Sequence, residues 1–268
     1  MVKKAAIIAT ISVFVFAASV SWAEDTLWEL QGVNADGTGS HPKVGAAPDE
    51  ANKVIIEGIS LASTGEVDAP TDPGFAWFSL WLQAEDGRGG IQVWSGPWSS
   101  SVWQGYSVQA GDRVRVVGWV ADHNGKVFMN DRHSLATMWS MEVVSHGAMP
   151  EPELIPSIAT CNYFDVTRQG GAEYYQTRWV RLNGVRIASG EWGAGNEIVI
   201  TDSSGADLTL LLSSQGTFGT APTGEFDVMG IFDQEDAETP FDGGYRLWIR
   251  KAEDILPRSM VPSWDLYE

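Results

Sequence analysis

The 268-residue chain has a single cysteine, Cys161, and few basic residues: Lys and Arg number 17 against 35 Asp and Glu, a formal net charge of −18. One cysteine excludes an internal disulfide, so exported domains would have to be held by apolar cores, and two domains of this length bury enough surface to manage it. Cys161, in IATCNYF, has no histidine or second cysteine near it in sequence and reads as a buried apolar residue, with a free reactive thiol as the other option. The negative field repels polyanions at low salt and is the opposite of the usual nucleic-acid-binding footprint. It suits a soluble secreted surface, or affinity for cations such as calcium. His41, His123, His133 and His146 are dispersed, and Asp122-His123-Asn124 has no second histidine at ligand spacing. The chain has no Gly-x-Ser-x-Gly elbow, phosphate loop or paired-cysteine motif. Long amphipathic helical patterns are missing as well. These absences point away from an enzyme and toward a binding or scaffolding protein.

The one long apolar run is N-terminal, residues 5–20, behind Lys3 and Lys4 and ahead of Ser21-Trp22-Ala23. This is the pattern of a signal peptide over 1–23, cut after Ala23. The run is short for a membrane span and no basic residues follow it; no cysteine stands at the cut to accept lipid. The expected product begins at Glu24, has no membrane span, and is secreted, periplasmic or extracellular.

What remains is strand after strand, and it is written twice. In 53–61 a β-branched run opens the first series. Phe78, Leu80 and Leu82 alternate with Trp77, Ser79, Trp81 and Gln83, and the turn 85–90 leads to Ile91 and Val93. Val114 and Val116 oppose Arg113 and Arg115, which read as surface ion-pair partners. Asn124-Gly125 marks a type I′ hairpin, in which both central residues favour positive φ. The second series has strands at 179–187, 196–201, 207–212, 225–232 and 245–250. Repetition of this kind means one fold used twice. The expected organisation is an irregular lead-in over 24–49 with a short element near Leu27, a first barrel over 50–147, a Pro-rich linker over 148–156, a second barrel over 157–257 with a short helix within 157–165, and a loose tail over 258–268.

The motifs AEDGRGGIQVW, GDRVRVVGWV, ITDSSGADLTLLL and GIFDQ with GGYRLWIRKAEDI resemble the OB-fold modules of exported bacterial proteins, including those attached to extracellular nucleases. The resemblance implies an all-β chain of two tandem OB-fold-like five-stranded barrels. It suggests single-stranded nucleic acid as a ligand. No nuclease domain accompanies the barrels, so nuclease activity is not carried over.

Tryptophan is the compositional outlier, 13 residues in all. With Phe78, Leu80, Leu82, Ile91 and Val93 facing the core, Trp77, Trp81 and Trp94 project outward, with Gln83 and Gln92 beside them, on the face that OB-folds use for ligands. Flat aromatics there can stack on bases or cover sugar rings. They could equally pack against the 98–106 loop or the second barrel, where the indole edge finds a partner. A second cluster, Asp233, Glu235, Asp236 and Asp242, reads as a solvated loop or as a weak extracellular calcium site; no other cofactor is expected. The leading expectation is a secreted, non-catalytic binding protein for an extended polymer, a glycan or single-stranded nucleic acid. One alternative is an adaptor in an exported assembly that uses the same aromatics as a protein interface; another is a nucleic-acid-binding accessory to an extracellular nuclease. A hydrolase using Glu235 or Asp236 is the remaining option.

Overall fold

The computed structural model describes residues 25–67, 78–96, 105–130 and 135–258. A four-residue helix α1 (Leu27–Leu30), capped by the Thr26 hydroxyl accepting from the Glu29 N–H, leads into the first series of strands. These are β1 (Val54–Ser60), β2 (Phe78–Gln83), β3 (Gly90–Ser95), β4 (Arg113–Gly118), β5 (Val120–His123), β6 (Lys126–Asn130) and β7 (Ser140–Ser145). The second series is β8 (Glu153–Ile155), helix α2 (Gly171–Tyr175), β9 (Trp179–Gly190), β10 (Glu197–Thr201), β11 (Asp207–Leu212), β12 (Phe226–Gln234), β13 (Tyr245–Ile249) and β14 (Ile255–Pro257). Burial alternates residue by residue along β1 and β4, the period-2 signature of a strand with one face in a core.

In the second half β9, β10, β11, β13 and β12 lie side by side, with β11 and β13 parallel, and β12 pairs back onto β9 to close a five-stranded barrel. The first half repeats that order as β1, β2, β3, β6 and β5, again with its third and fourth members, β3 and β6, parallel. Closure there runs through the chain itself, because β5 continues β4 past Gly118 and Trp119 while β4 pairs with β1. In the second barrel the corresponding strand, β12, is unbroken. Each barrel then sends one more strand back along the fourth, β7 onto β4 and β14 onto β12. This is the all-β, OB-type architecture expected from the strand order. The hairpin at Asn124-Gly125 forms as expected, with φ of 52° and 86°.

Phe78, Leu80, Leu82, Ile91 and Val93 fill the first core with Val114 and Val116, and Leu27 and Leu30 of α1 plug into it. The second core is built on Val180, Leu182, Ile198, Ile200, Leu210 and Phe226, and it includes Cys161. Burial pushes the Cys161 thiol up to about 12, the behaviour of an inert core residue. Two segments take definite form. Residues 157–165 make only a 3-10 turn at Ile158–Thr160, where the Asp202 carboxylate accepts the Ile158 N–H at 2.7 Å; the helix forms later, as α2. The Pro-rich segment is not a free linker throughout, since its residues 153–155 form β8, parallel to β9.

A third apolar cluster joins the barrels. Leu61, Ala62, Val67 and Trp81 of the first meet Trp179 and Ile231 of the second, with Met149, Met229 and Trp248 at its edge. The rings of Trp81 and Trp248 stand 6.1 Å apart at 51°. Gln83 Oε1 accepts the Trp179 N–H at 2.6 Å, and Arg250 Nη1 donates to the Leu61 carbonyl at 2.8 Å. Close approach of the two backbones depends on Gly90, where an added Cβ would fall 2.0 Å from the Thr177 carbonyl oxygen. Replacing Trp81 by Ala is expected to lower unfolding free energy by about 3 to 5 kcal/mol, the cost of truncating a fully buried aromatic. Urea denaturation measures it, and a loss below about 1 kcal/mol would mean that the joint is not packed this way.

Candidate ligand-binding faces

The outward residues of β2 and β3 share one face, as their registers show: Ser79 opposite Trp94, Trp81 opposite Gln92, Gln83 opposite Gly90. The sequence placed these side chains on the right side of the sheet. That face is nevertheless occupied. Trp81 is 0% exposed and packed under Trp179, Ile231 and Trp248, and Gln83 is bonded to the second barrel. Gln92 is buried with its Nε2 donating to Ser79 Oγ at 2.6 Å. Trp94 is half-buried, edge-on to Phe128, and its carbonyl accepts the Trp139 indole N–H at 2.8 Å. Trp77 lies outside the described residues. Trp81, Gln83 and Gln92 therefore do not form an open stacking platform, because the second barrel and neighbouring side chains have taken their surface.

The acidic group is likewise engaged. Asp233 is no loop residue: it lies within β12, next to its last residue, at 0% exposure, with Lys126 Nζ of the first barrel at 3.1 and 3.2 Å from its two oxygens. Arg246 donates to it at 2.9 and 3.0 Å and the Trp248 indole N–H at 3.0 Å. Burial alone would push this carboxyl up; Lys126 and Arg246 outweigh it and hold Asp233 at about 2. Glu235 pairs with Arg246, which keeps it below the usual carboxylate range against the opposing effect of burial. Asp236 accepts the Glu238 and Gly243 N–H groups, and Asp242 is exposed. Among the described residues no group of three or more His, Cys, Asp or Glu is placed to hold a metal ion. Asp233 and Glu235 serve as ion-pair residues and Asp236 as a turn residue. Arg113 and Arg115 do pair on the surface, with Glu57, Glu85 and Glu142.

The corresponding face of the second barrel is open. Val199 lies opposite Thr209, which lies beside Arg246, so β10, β11 and β13 present one row outward, flanked by Glu197 and Asp207. With Asn162, Glu235 and Tyr245 these residues line a groove of about 410 Å³. Glu197 and Asp207 are exposed, whereas Arg246, the one cation lining the groove among the described residues, is already neutralised by Asp233 and Glu235. The alternation of Glu197 and Val199 with Ile198 and Ile200, and of Asp207 and Thr209 with Leu208 and Leu210, carried this face in the sequence. The weight of tryptophan drew attention to the other barrel. A smaller cavity of about 280 Å³ lies on the first barrel between α1, β1 and the 84–88 turn, walled by Trp28, Glu57, Arg88 and Arg113.

No protein-family model matches the chain, and no curated protein matches it. Solved structures with some likeness include one from work on structural mimicry for functional antagonism, at 8% identity, covering 72% of this chain and 87% of that chain, with a TM-score of 0.32. A second is the replication protein A heterotrimer bound to ssDNA, at 11% identity over 70% of this chain and 50% of that chain, TM-score 0.31. A third is a deletion mutant of the single-stranded DNA binding protein from Thermus aquaticus, at 11% identity over 80% of this chain and 97% of that chain, TM-score 0.20. Likeness at this level carries no argument, and the OB-type description rests on the strand pairing.

Asp233→Asn strands Lys126 at the joint and is expected to cost about 3 to 5 kcal/mol at neutral pH, the usual penalty for breaking a buried pair from one side. Because the folded carboxyl is depressed, the stability it contributes is complete above its ordinary 3.8 and is lost as pH falls from there through about 2. Urea midpoints of the wild type and Asp233→Asn should accordingly converge in acid. Curves that stay parallel from neutral pH to about pH 2 would refute the assignment.

Proposed function

We propose that the chain is an exported, non-catalytic tandem OB-fold binding protein that holds one extended polymer strand on the open face of its second barrel. The observation that carries this reading is the contrast between the two faces: on the strand 2 and 3 surface of the first barrel the second barrel covers Trp81 and Gln83, while its counterpart over β10, β11 and β13 is a free groove. OB-folds engage ligands on that surface. The groove offers Asn162, Thr209, Glu197 and Asp207 as hydrogen-bonding groups, with Val199 as an apolar floor. Such a lining suits the hydroxyls and ring faces of a neutral glycan. A phosphate backbone needs uncompensated cations, and Arg246 is compensated. The non-catalytic reading is supported by the ion pairs that tie down Asp233 and Glu235, leaving the acidic loop without a free acid and base held across a cleft. Export rests on the leader pattern of residues 1–23, which lie outside the described residues; among the described residues no helix is long and apolar enough to cross a membrane.

A protein-adaptor reading is favoured by a different observation. Val144 on β7, Leu154 on β8 and Leu256 on β14 are exposed at 45%, 54% and 39%, each on a strand added at the margin of a sheet, and unpaired strand edges template further pairing.

Titration of the chain from Glu24 onward with neutral glycans, acidic glycans, single-stranded DNA and RNA, at low and high salt, tests the proposal. Binding of a neutral glycan is expected to be nearly unchanged by salt, lost in Thr209→Arg and retained in Trp94→Ala. Binding of nucleic acid alone, falling steeply with salt, would replace the glycan with a polyanion. Binding untouched by Thr209→Arg would remove the groove from consideration, and no polymer binding at all would leave the adaptor.

A further inference from the structure

Arg168 reaches from the second barrel to the N-terminal segment. It is buried, its guanidinium lies 3.5 Å from the centre of the Trp28 ring, and Nη1 donates to the Trp28 carbonyl at 2.6 Å. Its Nε and Nη2 have no acceptor. On α2, Glu173 is 2% exposed; Oε1 accepts from the Tyr245 hydroxyl at 3.0 Å, and Oε2 has no donor. Gln176 lies beside it with its Oε1 also lacking a donor, while its Nε2 is committed to Gln234 at 2.7 Å. A buried carboxylate oxygen without a donor is expensive, and a proton on Glu173 removes the charge that burial penalises. No cation stands within ion-pair distance of this carboxyl among the described residues.

We infer that Glu173 is protonated in the docked protein and serves as a latch: when it ionises, Arg168 leaves Trp28 for the new carboxylate, and the N-terminal segment loosens from the second barrel. A buried charge must find a partner, and Arg168 brings two unused donors from the same short stretch of chain. Burial pushes the Glu173 carboxyl up to about 7, with Tyr245, Arg168 and Gln176 pulling the other way. Burial likewise depresses Arg168 to about 10, opposed by Glu173 and reinforced by Arg88. Of the other charged and titratable groups packed against α2, Arg178 stacks on Tyr174 and Tyr175 and pairs with Glu153. Arg88 covers Trp28 at 4.8 Å, Tyr174 meets the Trp28 ring edge-on, and Asp165 is bonded within its own loop. Asp236 and Asp242 act on Tyr245 from the 235–244 loop. A raised carboxyl pKa contributes stability that is complete below its ordinary 4.5 and lost as pH rises through about 7. The latch therefore holds in acid and releases on the alkaline side of neutrality. Trp28 also walls the smaller cavity, so release alters that cavity's edge.

The test follows tryptophan emission of the chain from Glu24 onward, between about pH 6 and about pH 9, a window above the range in which an unperturbed carboxyl titrates. The Trp28 signal, wild type minus Trp28→Phe, is expected to change with one midpoint near neutrality, and Glu173→Gln is expected to abolish the transition. A transition that survives in Glu173→Gln, or a wild type with none, overturns the proposal. Should Glu173→Gln fail to fold, Arg168→Met provides the second measurement. It is expected to lose the Trp28 transition while its melting temperature still falls with pH across the same range, and a persisting Trp28 transition would refute the latch.

Discussion

Trp81 of the first barrel stands against Trp179, Ile231 and Trp248 of the second, and most of what distinguishes this protein from two barrels on a string follows from that contact. An indole projecting from β2 would be a surface group in an isolated barrel. Here it is wholly withdrawn from water, and the backbones come close enough to demand glycine at position 90. The same joint makes sense of Asp233. A carboxylate at that depth is tolerable because Lys126 arrives from the partner barrel and Arg246 from β13, and neither barrel alone holds the full set. Apolar contact supplies attraction without direction; the Lys126, Asp233 and Arg246 triad and the Gln83 bond to Trp179 supply register.

Docking also divides the labour between the repeats. Both inherit a potential ligand face over their second and third strands, and the joint consumes one of them. The first barrel becomes a support whose cavity is rimmed by Trp28 and the Arg113 ion pairs, and the second keeps a groove lined by Glu197, Val199, Asp207 and Thr209. Among the described residues the cation lining that groove, Arg246, is already paired with Asp233 and Glu235, which is why the proposal favours a neutral ligand.

Two buried carboxyls illustrate how surroundings decide ionisation. Asp233 has two cations and an indole N–H, and stays charged far into acid; Glu173 has a tyrosine hydroxyl and an unpartnered oxygen, and holds its proton toward neutrality. Burial acts in the same direction on both. The difference lies in which cations the fold brings within reach.

Strand alternation in 78–83, 113–118, 197–201 and 207–212, and the turn chemistry of Asn124-Gly125, were legible because they depend on neighbours along the chain. They sufficed for the all-β class, the repeated OB-type order and the inward set Phe78, Leu80 and Leu82. The period-2 rule also put Trp81, Gln83, Gln92 and Trp94 on one face. It could not say whether water, a ligand or the second barrel covers that face, since long-range packing leaves no local signature. Asp233 looked like one of several loop acids for the same reason: Lys126 is more than a hundred positions away. Residues 157–165 hold a single 3-10 turn, capped where the Asp202 carboxylate accepts the Ile158 N–H, a contact between segments far apart in the chain. Composition and spacing thus determined the barrels and the direction of the alternating side chains on those strands. Only the tertiary structure decided which outward faces remain free and which buried charges find partners, because those outcomes depend on groups that meet in space and not in sequence.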